Sequence, residues 1–278
     1  MSERPPLRVL LAPNPSPMTL DGTRTFLLGR ERPVVIDPGP ADARHLAAIL
    51  SALGETRPAA ILLTHAHPDH AALAPALARE TGSAVMMGRG ALDPSLDPAV
   101  VQGWLEEGEE VETDAGPLRV LATPGHAPEH LAFLWQGDGA PPGGALFVGD
   151  LLMGEGDTTL VAPPEGDLAA YLRTLGRIRD LAPGVLYPAH GPPLADPTAA
   201  VGRYVAHRRE RIEQVFRALQ AIGVATPAEL VDSVYGAALH PELRLAAEGS
   251  IRAILLYLEE EEGRVRHAGE GRYGALTP

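Results

Sequence analysis

An α+β layered domain over residues 1–200, followed by a winged-helix-like domain over residues 201–278, is the fold class this sequence predicts. Three observations carry it. Short apolar segments alternate with helical ones through the first 200 residues, a texture that packs as sheets covered by helices. From about residue 198 the pattern becomes three helices and a Gly-rich hairpin. The chain has 278 residues, 45% of them hydrophobic and 21% charged, which suits a globular protein burying roughly 70–75% of its unfolded surface.

The elements follow in order. Strands are expected at Leu7–Leu11, Thr25–Leu28, Val34–Ile36, Ala60–Leu63, Ala84–Met87, Leu118–Leu121, Leu131–Trp135, Ala145–Val148 and Val185–Tyr187. Each is a few apolar or β-branched residues bounded by Gly, Pro or Asp. Helices are expected at Ala41–Leu53, opened by Pro40, at His70–Thr81 and at Leu168–Leu181. The last places Leu168, Tyr171, Leu172, Leu175 and Ile178 at helical spacing with arginines between them. Gly137–Gly144 and Ala162–Gly166 read as loops. Thr198–Ile222 reads as one long helix. A second starts at Thr226, which has Pro227 after it and Glu229 three residues on, a capping box. Glu248–Glu262 forms the third, and Gly263–Tyr273 forms two short strands around a turn.

Composition excludes several chemistries. There is no cysteine, hence no disulfide scaffold, thiolate-ligated zinc, iron–sulfur cluster or thiol nucleophile. All 23 basic residues are arginine, which removes Schiff-base chemistry and a P-loop lysine. The net charge of −13 argues against a surface that clings throughout to nucleic acid or anionic membrane. The acidity sits in the first domain, with 13 arginines against 25 acids in residues 1–200 and 10 against 11 in the remainder. No apolar run approaches the roughly 18 residues of a membrane span. The N-terminal apolar run is broken by Pro13, Pro15 and Pro17 and does not read as a signal peptide. A cytoplasmic location is expected.

Four segments share one design. Ala60–Thr64 leads into His65-Ala-His67-Pro-Asp69-His70, Leu118–Gly125 into His126, Ala145–Gly149 into Asp150, and Val185–Ala189 into His190. In each, an apolar strand ends and a metal-type ligand follows at once. Five imidazoles and two carboxylates suit zinc, with manganese, iron or cobalt as alternatives. Seven ligands exceed one tetrahedral ion and fit two if a carboxylate is shared. Asp150, arriving alone, is the natural bridge. Water between two such cations ionises near neutral pH and becomes the nucleophile. A single histidine is more often structural than ligating, and His45, His130, His207, His240 and His267 are left in that class; His130 is the nearest to an exception.

Taken in order, T-H-A-H-P-D-H, T-P-G-H, G-D and A-H-G resemble the metallo-β-lactamase superfamily. The resemblance implies a four-layer αββα sandwich with a dinuclear site at one edge. It places His65, His67 and His126 on one ion and Asp69, His70 and His190 on the other, with Asp150 bridging and Asp69 the catalytic aspartate. Asp37, in Ile36-Asp37-Pro38-Gly39, resembles the buried turn aspartate that supports the ligands from behind; a plain strand-ending turn explains it equally well. His67 stands where redox members carry Glu, which points to hydrolysis. Gly149–Gly156, Tyr187–Pro192 and the C-terminal third resemble the beta-lactamase-like protein 2 group of metal-dependent endoribonucleases. Glyoxalase II-like proteins share these motifs.

Arginine crowds the C-terminal domain: Arg203, Arg208, Arg209, Arg211 and Arg217 on one helix, Arg264, Arg266 and Arg272 around the hairpin. Guanidinium groups pair with phosphates and stack on bases. Arg208, Arg209, Arg211, Arg264 and Arg266 are therefore candidates for contact with single-stranded RNA. Glu210, Glu213 and Glu259–Glu262 interleave with them, and a salt-bridged solvated helix accounts for the pattern as well. The leading expectation is a two-metal phosphodiesterase on single-stranded RNA. The alternatives are a glyoxalase II-like thioesterase with a small thioester substrate and a non-catalytic winged-helix regulator. Winged helices also dimerise, so a second copy of the chain is a further expected partner.

Overall fold

The computed structural model describes residues 5–90 and 96–276, which fold as two compact units. The first takes the residues up to Thr123, Glu129–Gly156 and Ile178–Thr198; the second takes Pro124–Pro128, Asp157–Arg177 and the residues from Ala199 onward. In chain order the elements are β1 (Leu7–Leu11), β2 (Arg24–Leu28), β3 (Val34–Ile36), α1 (Ala43–Leu53), β4 (Ala60–Leu62), α2 (Pro68–Ala71), α3 (Ala74–Thr81), β5 (Val85–Gly88), β6 (Val101–Leu105), β7 (Glu110–Val111), β8 (Leu118–Ala122), β9 (Leu131–Trp135), β10 (Ala145–Gly149), α4 (Leu168–Leu181), β11 (Val185–Pro188), α5 (Pro197–Ile222), β12 (Val224–Ala225), α6 (Pro227–Tyr235), α7 (Arg244–Glu260), β13 (Val265–Gly269) and β14 (Arg272–Ala275).

In the first unit, a six-stranded sheet ordered β1-β2-β3-β4-β5-β6 packs on a five-stranded sheet ordered β11-β10-β9-β8-β7. Side chains alternate across a strand, and here both sets are apolar. Phe26, Leu28, Val34, Ile36, Ala60 and Leu62 face the second sheet, meeting Val120, Phe133, Trp135 and Phe147. Leu27, Val35, Ile61 and Leu63 face the other way, against Ile49 and Leu53 of α1 and Leu77 of α3. Cover on both faces explains why these strands read as unbroken hydrophobic runs rather than alternating ones. Each aromatic buried this way contributes roughly 1.5–3 kcal/mol.

This layering creates one rim. β3 runs parallel to β4, and β10 to β11, so the residues after each pair leave on one side. The Leu131 N–H donates to the Thr64 carbonyl at 2.8 Å, and the Arg24 N–H to the Ala189 carbonyl at 2.8 Å. These bonds stitch the two sheets together where β4 and β11 end. Gly149, closing β10, has φ +49°, and a Cβ there would sit 2.7 Å from His130 Nε2 and 2.8 Å from Thr64 Oγ1. Glycine is thus required one residue before Asp150.

In the second unit, Thr226 and Glu229 form the expected capping box, and β12-β14-β13 make a small antiparallel sheet. Leu230, Val231, Ile251, Leu255, Leu258 and Val265 are buried in its core. Three features differ from the sequence reading. The helix expected at His70–Thr81 is two, α2 and α3; Pro75 lies in the first turn of α3, where proline starts a helix. α7 begins at Arg244 rather than Glu248. Strands β6, β7 and β12 are not expected from the sequence: β6 carries Gln102 and Gly103, and the other two have two residues each. Among the described residues, no helix is long and apolar enough to cross a membrane.

Candidate metal centre

Six of the seven expected ligands meet at the rim of the first unit. His65, His67 and Asp150 each offer an atom within 4.8 Å of the others, and so do Asp69, His70 and His190. Asp150 faces both sets: its Oδ1 lies 3.3 Å from His70 Nε2 and 3.2 Å from His190 Nε2. Asp69 Oδ2 is 3.5 Å and 3.2 Å from the same two nitrogens. Both Nε2 atoms are buried without a hydrogen-bond partner. Buried imidazole nitrogens that converge on carboxylate oxygens, with no sulfur among the donors, fit divalent cations.

The imidazoles are oriented from behind. Asp37, buried at φ +48° after β3, accepts the Thr64 N–H on Oδ1 at 2.8 Å and the Thr64 hydroxyl on Oδ2 at 2.8 Å. That oxygen also accepts the His70 Nδ1–H at 2.9 Å. With its proton committed to Asp37, Thr64 Oγ1 accepts from His65 Nδ1 at 3.0 Å. One carboxylate therefore turns the Nε2 atoms of both His65 and His70 toward the cluster. His190 Nδ1 donates to the Gly22 carbonyl at 3.2 Å, with the same effect. His67 is set differently, its Nδ1 lying 2.9 Å from His65 Nε2. His45 Nε2 meets Thr25 Oγ1 at 2.8 Å while Thr25 donates to the Asp37 carbonyl at 2.8 Å, so this histidine supports the Asp37 turn.

His126 lies in the second unit, on the Pro124–Pro128 loop. Its Nδ1 donates to the Leu160 carbonyl at 2.7 Å, which turns Nε2 away from that carbonyl.

Sequence reasoning passes over Thr64 and Glu129 and marks His130 only as the nearest to an exception among the remaining histidines. Thr64 relays Asp37 to His65. His130 lies 5.1 Å from His65, ring centre to ring centre, and accepts the Asp150 N–H at 3.3 Å. Glu129 accepts the Ala66 N–H at 3.2 Å between the first two histidines. Only His130 has a signal, seven residues after Thr123, whose hydroxyl it meets at 2.9 Å.

Charge in the cluster is self-consistent. Burial pulls the His70 imidazole down, but Asp69, Asp150 and Asp37 outweigh it and hold its pKa well above the ordinary value. Burial likewise pulls the His190 imidazole down, but Asp150 and Asp69 outweigh it and raise its pKa to about 9. Asp150, which burial alone would raise, is held well below the usual carboxylate range by His70 and His190. A bound cation takes the place of those imidazole protons. His190, raised from 6.5 to about 9, stabilises the metal-stripped fold fully below pH 6.5, and that contribution is lost as pH rises through 9. Its size is about 3 kcal/mol. Urea unfolding of chelator-treated protein is expected to show a falling midpoint between pH 6.5 and 9, and metal-loaded protein a flat one. A midpoint of stripped protein that rises across this window would contradict the charge assignment.

Of the five candidate nucleic-acid residues, one is buried, two are engaged with neighbours in the same unit and two are exposed. Arg208 is buried, donates to the Thr159 carbonyl and lies 5.1 Å from the Tyr171 ring centre. Arg211 bonds Gln214 and the Val234 carbonyl and sits over Tyr235. Arg264 pairs with Glu213 and Glu262 over Phe216. Arg209 and Arg266 are exposed.

Known proteins resemble the chain over most of its length. The metallo-beta-lactamase superfamily matches residues 18–190, and the beta-lactamase associated winged helix domain matches residues 226–273. A beta-lactamase-like protein 2 homolog of Caenorhabditis elegans is 30% identical, the match covering 88% of this chain and 81% of that one. An atrochrysone carboxyl ACP thioesterase of Aspergillus fumigatus is 32% identical, over 90% and 78%. The crystal structure of a metallo-beta-lactamase family protein from Thermus thermophilus superposes with a TM-score of 0.79 at 27% identity, covering 98% of this chain and 99% of the other.

Proposed function

The chain belongs to the metallo-β-lactamase superfamily of metal-dependent hydrolases, and from that membership we propose that it is a two-zinc hydrolase of small acyl thioesters. Hydrolysis is assigned to residues 1–200 and the winged-helix-like domain to residues 201–278, a functional division distinct from the two compact units, the second of which also takes Pro124–Pro128 and Asp157–Arg177. One ion would be held by His65, His67 and His126, the other by Asp69, His70 and His190, with Asp150 as the carboxylate available to both.

The observation that carries the substrate class is the employment of the arginines. Arg208, Arg211 and Arg264 are engaged within the C-terminal unit, and the first domain is strongly acidic. A polyanion gains little from such a protein; a thioester carbonyl asks for no basic surface. The 32% identical thioesterase supports the same class.

Two divalent ions bound there supply Lewis acidity and a nucleophile drawn from water. The chain's own residues do the rest. Asp37 and Thr64 hold His65 and His70 in the tautomer that presents Nε2, and Gly22 does so for His190. Asp69, whose side chain is 29% exposed, stands nearest to solvent among the acids of the cluster, and against the upward push of burial His70 and His190 hold its carboxyl below the usual range, in the ionised form a cation ligand needs.

A second reading, cleavage of single-stranded RNA, is favoured by the exposed Arg209 and Arg266. One experiment separates the two. Zinc-loaded protein is given an uncharged acyl thioester such as an acyl-N-acetylcysteamine and, separately, a generic single-stranded RNA. Thiol release is read without background, since the chain has no cysteine. Thioester cleavage that disappears in His67→Ala, with RNA intact, is expected. Intact thioesters with cleaved RNA would overturn the reading.

A further inference from the structure

Arg208 is chemically out of place. It lies in the middle of α5 at 3% exposure, and no carboxylate pairs with it among the described residues. Its Nε is buried without a hydrogen-bond partner. A buried guanidinium without a carboxylate is costly unless other groups satisfy it. What meets it is the Thr159 carbonyl, to which Nη2 donates, and Tyr171, whose ring centre lies 5.1 Å from its central carbon. Burial pushes the Tyr171 hydroxyl up in pKa, and the guanidinium beside it pulls the other way.

Both partners lead to the loop bearing His126. Thr159 is the neighbour of Leu160, whose carbonyl accepts from His126 Nδ1 at 2.7 Å. Tyr204, one helical turn before Arg208, donates to the Thr158 carbonyl at 3.4 Å. Helix α5 thus holds two successive carbonyls immediately ahead of the one that orients the histidine. On the other side, Gly125 packs so tightly on Tyr171 that a Cβ at Gly125 would lie 2.4 Å from the Tyr171 Cα. The Asp167 N–H donates to the Gly125 carbonyl at 2.9 Å, and the Thr174 hydroxyl to the Pro124 carbonyl at 2.8 Å.

We infer that Arg208 is a positioning residue for His126: it pins Tyr171 and the Thr159 carbonyl, next in the chain to the Leu160 carbonyl that meets the histidine, and so sets the ring orientation of a metal ligand from a helix that reads in sequence as a nucleic-acid-binding one. The inference rests on the reading of His126 as a ligand. It also accounts for a charge buried at 3% exposure, which contact with an external ligand does not.

Zinc affinities of the native chain, His126→Ala, Arg208→Met and Arg208→Lys are measured by competition with a chromophoric chelator, with urea unfolding of each as a fold control. Loss of one of two zinc ions is expected for His126→Ala. Arg208→Met is expected to weaken one site by about 10–100-fold, the usual effect of removing a ligand's supporting partner, and to leave the other within about twofold. Lysine keeps the charge but not the planar fork, so a smaller loss at the same site is expected for Arg208→Lys; if the methionine variant does not fold, this variant alone decides. His126→Ala that keeps both ions would remove the ligand reading itself. His126→Ala that loses one ion while the Arg208 variants bind both with native affinity would overturn the positioning role.

Discussion

Replacing Asp150 with alanine is expected to cost at least about 10³-fold in turnover and to reduce bound metal from two ions to one or none, while the far-ultraviolet circular dichroism stays native. Among the described residues Asp150 is the one carboxylate that faces both sets of ligands, with Oδ1 within 3.3 Å of His70 Nε2 and His190 Nε2 and an oxygen within 4.8 Å of His65 and His67. On the proposed arrangement its removal deletes a ligand common to both ions, and it takes away one of the three carboxylates that hold up the His70 imidazole and one of the two that hold up His190. The fold survives because the residue sits at the rim, after β10 has ended, and the inter-sheet core of Phe26, Phe133 and Phe147 does not include it. Metal analysis with a hydrolysis assay checks this; full activity in Asp150→Ala would remove the shared-ligand arrangement.

Asp37→Asn has the second largest expected effect, although Asp37 is not placed on either ion. Its Oδ2 accepts two protons, from the Thr64 hydroxyl and His70 Nδ1. An asparagine can keep one acceptor for the Thr64 N–H, but its NH2 then meets two donors. His70 must shift its proton to Nε2 or turn, and Thr64 loses the bond that fixes its hydroxyl for His65. Zinc affinity is expected to fall by about 10–100-fold and stability by about 1–3 kcal/mol, the cost of buried donors left without an acceptor. Chelator competition and urea unfolding measure the two effects. Native affinity in Asp37→Asn would show that the imidazoles hold their orientation without it.

The parts of the molecule legible in its sequence are those decided by local pattern. Leu7–Leu11, Val34–Ile36 and Leu131–Trp135 are found at the expected bounds because each is a short, largely apolar run with Gly, Pro or Asp within three residues of either end. The ligand segments are legible because ligand types directly follow such runs, and the parallel pairing of β3 with β4 and β10 with β11 brings their ends to one side. Strands such as β7 and β12, two residues long, exist by virtue of partners distant in sequence. The burial of Arg208 is hidden for the same reason. In sequence it is one arginine in an Arg-rich helix, and only the fold shows that Thr159 and Tyr171, 49 and 37 residues away, take up its charge. The choice between supporting aspartate and plain turn for Asp37 likewise needs Thr64 and His70 in place.

The central claim is that two metal ions share Asp150 at this rim. A crystal structure of zinc-loaded protein, with anomalous differences collected on both sides of the zinc absorption edge, tests it most directly. The account predicts two peaks about 3.5–4 Å apart, one among His65, His67 and His126, the other among Asp69, His70 and His190, with a carboxylate oxygen of Asp150 touching both. A single peak, or peaks that Asp150 does not join, would contradict it.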